Sequence, residues 1–149
     1  MGPMMLVEIY VTLLSFMFVI TSAMDANAPL HLLDRRIYEE LSEPTETLGR
    51  GDLVLKEMIA YYCNLYDVFN YLKWKDEKGL EMIDVLEKEG GPKLPSMEVN
   101  GEAIKRAYKW EDRELEMITT MLTSIKSLWN KVTDKVYQFS SSLNVPHRF

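Results

Sequence analysis

Chemistry-bearing residues are scarce in this chain, and each scarcity removes a class of function. Histidine occurs twice, as His31 and His147, near the two ends. Neither has a Cys or His neighbour at ligand spacing, so zinc templates and a histidine-based triad are excluded. The single cysteine, Cys63, has no partner for an internal disulfide, and the stability of the chain must come from its core. Cys63 lies in the aromatic stretch YYCNLY and reads as a small buried hydrophobe rather than a reactive thiol. There is no glycine-rich phosphate loop, no Asn-x-Ser/Thr acceptor and no basic cluster. With a net charge of −6, a nucleic-acid partner is excluded, because phosphates attract lysine- and arginine-rich faces.

What is present is ordinary globular material. The 149 residues are 47% hydrophobic and 27% charged, enough for one domain with a core. Residues 9 to 20, IYVTLLSFMFVI, form an uncharged apolar block that is short for a bilayer span and suits the core of a secretory leader. Thr21-Ser22-Ala23 and Ala26-Asn27-Ala28 each fit the small-x-small cleavage rule. A leader over 1–23 and a mature chain starting near Met24 or Pro29 are therefore expected, with secretion as the destination. No Lys or Arg precedes the block and Glu8 stands where a positive charge is usual, so an uncleaved anchor or a buried helix are the alternatives.

Residues 24–33 read as an extended lead-in, and DRRIYEELSE, from Asp34, as a short helix that Asp34 caps. From Asp52 the apolar residues Leu55, Met58, Tyr62, Leu65, Phe69 and Leu72 recur at intervals of three and four, which predicts a helix with one buried stripe. Charges in KWKDEKG, Lys73 to Gly79, interrupt the stripe. Either the helix bends there or polar residues line a functional interior, and Gly79 favours the bend. The pattern resumes at Leu80, Ile83 and Leu86 and stops at Gly90-Gly91-Pro92, where glycine takes the left-handed geometry and proline cannot continue a helix.

Ile104, Tyr108, Glu111, Leu115, Ile118, Leu122, Ile125, Trp129, Val132 and Val136 follow a 3.5-residue repeat, a bundle seam whose helix starts at Gly101 or near Trp110. Glu111 either lies within that seam, where burial demands a partner or a metal, or sits in a first turn beside water, where it suits the helix dipole. Residues 141–149 read as a frayed tail. The expected fold is an all-α antiparallel bundle over 34–140, two long helices plus a shorter one. Four acids, Glu77, Glu81, Asp84 and Glu87, share one helix face at spacings of four, three and three. They are either a cation-gathering strip or a solvated face blunted by Lys75, Lys78 and Lys88.

Two stretches resemble ferritins. FNYLKWKDEKGLEMIDVLEKEGG, Phe69 to Gly91, is similar to the end of the second ferritin helix, and ELEMITTMLTSIKSLWNKV, Glu114 to Val132, resembles the third helix of secreted arthropod light-chain-type subunits. Counting back from Gly91, RRIYEEL falls on the first helix and puts Glu40 where iron-oxidising subunits carry a ligand. The resemblance implies a bundle lacking the fourth and fifth helices. It implies iron as the ligand, with Glu40, Glu111, Glu77, Glu81, Asp84 and Glu87 as its weak metal residues. The Glu and His of an oxidising subunit's second helix fall on Lys75 and Lys78. Two ammonium groups repel iron, so the implied role is storage without ferroxidase activity, and the protein is not an enzyme. Implied partners are other ferritin-like subunits or a second copy. The alternative is an exported helical interaction module without metal chemistry, with neither nucleic acid nor membrane as partner.

Overall fold

The computed structural model describes residues 29–74 and 77–143, and these form an all-α fold. Five helices follow one another: α1 Leu30–Ser42, α2 Arg50–Lys73, α3 Glu77–Lys88, α4 Gly101–Tyr108 and α5 Asp112–Leu143, with a 3-10 turn over Leu94–Ser96. The leader, Lys75 and residues 144–149 lie outside the described residues. α1 starts at Leu30, so the end of the segment expected to be extended is helical, and α5 runs on into the expected tail.

α2 is the post around which the others pack, meeting α1, α3 and α5. Its buried stripe is Val54, Met58, Tyr61, Leu65, Val68 and Leu72. Tyr62 and Phe69, expected inside it, are half-buried at its edge. The helix carries apolar residues side by side at Tyr61-Tyr62 and Val68-Phe69, so periodicity alone leaves the stripe free to turn by one position. The second row of neighbours, α1 and α5 together, fixes the choice. On α5 the seam is buried at Ile118, Leu122, Ile125, Val132 and Val136, with Leu115 and Trp129 half-buried against it. Burying an isoleucine or leucine of this kind stabilises the fold by about 1.5–3 kcal/mol each.

The charged stretch after α2 is a break between two helices. Gly79 comes so close to the end of α2 that a β-carbon there would stand 2.9 Å from Cβ of Tyr71. That close approach is where α3 packs against the end of α2, and it explains why a glycine is needed. At the other end of α3 the stop is a Schellman motif. The Gly91 N–H donates to the Leu86 carbonyl at 2.7 Å and the Gly90 N–H to the Glu87 carbonyl at 3.2 Å, with φ of 79° and 90° at Gly91 and Gly90.

The last run is two helices, not one. α4 begins at Gly101, capped by the Asn100 side chain, which accepts from the Ala103 N–H at 3.2 Å. It ends where Lys109 adopts φ 54°, a left-handed conformation in a residue with a β-carbon. Both expected starting points therefore mark real boundaries: Gly101 opens α4, and Trp110 lies in the joint before α5. In that joint the Trp110 ring packs edge-on to Tyr108, centroids 5.0 Å apart, and covers Gly51 of α2, where a β-carbon would be 2.7 Å from the indole.

Charged groups tie the same region together. Arg36 of α1 pairs with Glu57 of α2, whose side chain is 5% exposed, and Arg50 of α2 pairs with Glu40 of α1. The Tyr108 hydroxyl donates to the Glu40 carbonyl at 2.9 Å, joining α4 to the end of α1.

Gly91→Ala is expected to destabilise the protein by about 1 kcal/mol or more in urea unfolding, because the left-handed position rejects a β-carbon. Arg36→Ala is expected to cost about 1–3 kcal/mol by leaving a buried carboxylate unpaired. The double variant Arg36→Ala, Glu57→Leu is expected to recover most of that loss, measured as the coupling energy of a double-mutant cycle.

Candidate functional site

The first turn of α1 and the last two turns of α3 meet side by side, and an apolar depression of about 260 Å³ lies between them. Pro29, Leu30 and His31 form one wall and Val85 and Leu86 the other. Leu30 and Leu86 also belong to the core, so the floor of the depression is continuous with the packed interior. Val85 is exposed, as are Leu80 on the same helix and Leu32 on α1.

The walls are set by a carboxylate inside the fold. Asp34, expected to cap the first helix, instead lies one turn into it on the apolar face with Leu30, Leu33, Ile37 and Leu41, and is 5% exposed. α1 starts without a side-chain cap, because Pro29 occupies that position. Asp34 accepts hydrogen bonds from the N–H groups of Lys93 and Leu94, both at 2.9 Å, and so fastens the segment after the Gly90-Gly91 stop to α1. Arg35 and Glu89 add a surface pair at 2.9 Å across the same gap. Burial raises the pKa of Asp34 above the ordinary carboxylate value, against the pull of the two N–H groups and the Lys93 charge.

Tyr61 of α2 is fully buried beside Asp34. Its hydroxyl lies against the Asp34 carboxylate just outside good hydrogen-bond geometry, and burial, the Asp34 charge and that contact push its pKa well above the ordinary value. A small polar crevice of about 60 Å³ opens next to Asp34, bordered by His31, Arg35, Glu89 and Lys93. That is room for a few waters and no larger ligand.

The carboxylates singled out from the sequence take separate places. Glu40 is held by Arg50, with the Tyr108 hydroxyl 3.5 Å from its other oxygen. Glu111 is exposed and stands just before α5, outside the buried seam. Its N–H donates to the Glu114 carboxylate at 3.0 Å, half of a capping box, so of the two alternatives the first-turn position beside water is correct. Glu77, Glu81, Asp84 and Glu87 all face water on α3, and Asp84 pairs with Lys88. Lys78 is exposed on the same helix. Among the described residues no group of three or more His, Cys, Asp or Glu is placed to hold a metal ion. No described helix is long and apolar enough to cross a membrane. Cys63 is half-buried rather than buried, with its pKa raised by burial and by Asp67.

Compared with protein-family models, curated proteins and solved structures, the chain matches none of the three.

The depression and the Asp34 anchor were both missed from the sequence. Asp34 left a signal: with Leu30, Leu33, Ile37 and Leu41 it completes an i, i+3, i+4, i+7 face, and an acid on such a face needs buried donors. The depression left none, since its walls are more than fifty residues apart.

Asp34→Ala is expected to cost about 2 kcal/mol or more by orphaning two backbone N–H groups. The pH dependence separates Asp34→Asn from the native chain. A raised folded pKa means the folded state binds the proton more tightly. The Asp34 contribution is then full below the unfolded value of 3.8 and is lost as pH rises through the higher folded value. Urea unfolding of the two proteins from acid to neutral pH is expected to show the native chain losing stability relative to Asp34→Asn as pH increases.

Proposed function

We propose that this chain works by contact, as a helical interaction subunit without a catalytic step of its own, and that the depression between α1 and α3 is where a partner is held. The observation that carries this is the depression itself: a concave, apolar surface beside exposed Val85, with Leu80 and Leu32 exposed on the same two helices. Trp74, 77% exposed at the end of α2, adds a large apolar group on the outside of the molecule. The most deeply placed charges support the reading from the other side. Glu57, Glu40 and Asp34 are each engaged in holding helices together, which leaves none of them free for proton transfer.

Export suits such a role, and the apolar block Ile9 to Ile20 followed by small residues supports it. A non-oxidising, ferritin-like storage subunit is the second reading. One observation favours it: the carboxylates of Glu77, Glu81, Asp84 and Glu87 all face water along α3, and hard cations are gathered by such oxygen ligands.

Iron loading of the purified chain, followed by size-exclusion chromatography with light scattering, separates the two. The contact reading expects an iron-free monomer or small oligomer. A large hollow assembly, or a fraction that retains iron through the column, overturns it in favour of storage.

A further inference from the structure

The geometry points to a cationic, amphipathic segment of a partner protein as the occupant of the depression, one large apolar side chain seated in it and lysine or arginine on either side. This rests on the contact role proposed above and adds the chemistry of the partner. Size is the first argument. At about 260 Å³ the depression falls below the roughly 300–1,000 Å³ of small-molecule pockets and suits a single anchoring side chain, which is how protein interfaces concentrate their binding energy.

Charge is the second. Glu77, Glu81 and Val85 are spaced by four along α3 and Glu89 follows its last residue, so they form one row on its surface, and Val85 in that row is also a wall of the depression. Glu77 and Glu81 are exposed and meet no basic side chain among the described residues. Glu89 meets only Arg35, in a pair whose side chains are 44% and 54% exposed and which an incoming cation can exchange at little cost.

The positive groups nearby are Arg35, Lys78, Lys88 and Lys93, and the Lys93 ammonium lies over the Tyr38 ring, 5.4 Å from its centroid. Arg35 and Lys88 are occupied by Glu89 and Asp84, and Lys78 is not free. An apolar seat approached along two carboxylates that meet no basic side chain among the described residues, on a chain of net charge −6, selects for cations and repels phosphate and acidic peptides.

The test uses the full chain and two synthetic helical peptides, one of leucine and lysine at helical spacing and one with every lysine replaced by glutamate, followed by backbone NMR shifts and calorimetry. The leucine–lysine peptide is expected to bind and to move the resonances of His31 and Val85. Its affinity is expected to fall by about tenfold in the variant Glu77→Lys, Glu81→Lys, and by a similar factor when salt rises from about 0.05 M to about 0.5 M. Both substituted positions are exposed, and circular dichroism verifies that the variant folds. Equal binding of the glutamate peptide at His31 and Val85 overturns the charge selection while leaving the contact role standing. Shifts at those residues from neither peptide overturn both. Binding of phosphatidylserine vesicles through the same residues overturns the proposal in favour of a lipid surface.

Discussion

Everything in this fold depends on burying α2 on more than one side. In its first half the buried residues Val54, Leu55, Glu57, Met58, Ile59 and Tyr61 span a wide arc of the helix. In its second half Leu65, Val68 and Leu72 narrow to a single stripe. A helix apolar over that much of its circumference needs several neighbours, and α1, α3 and α5 supply them. The shorter helices follow from it. None of α1, α3 or α4 is long enough to be stable alone in water, and each holds its shape by laying one face on the post or on α5.

That packing draws polar groups inside, and the fold answers each in a different way. Glu57 enters the core between α2 and α1, and Arg36 neutralises it from the rim, its own side chain half in water. Asp34 enters on the α1 side and takes two backbone N–H groups, which satisfies the donors of a loop while leaving the carboxylate poorly solvated. Tyr61, the largest fully buried side chain of the core, brings its hydroxyl against the Asp34 carboxylate at the meeting point of α1 and α2.

How far the sequence announced this differs from element to element, for physical reasons. The α3 terminus was legible, since two glycines followed by proline permit little besides a left-handed stop. The bend after Lys73 was legible from the charges at buried positions. The break between α4 and α5 was not, because the residue that makes it is Lys109, and nothing local marks a lysine as left-handed; tertiary packing of Trp110 over Gly51 enforces the turn. The acidic strip on α3 was legible as a face, since spacings of four, three and three place residues together on any helix. Glu111 appeared to lie in a buried repeat only because the repeat runs across a joint.

The same buried carboxylate that is costly to ionise also determines whether the depression exists. Its α1 wall is one turn before Asp34, and its α3 wall is one turn before the glycine stop that leads to Lys93 and Leu94. Tying those N–H groups to Asp34, with Arg35 and Glu89 paired across the gap at the surface, sets the two walls side by side. On the contact reading proposed above, walls held by core hydrogen bonds spare a partner part of the ordering entropy that a loop-built site would lose. Replacing the carboxylate alone would leave those two N–H groups without an acceptor, so the charge inside the fold and the shape of the depression come together.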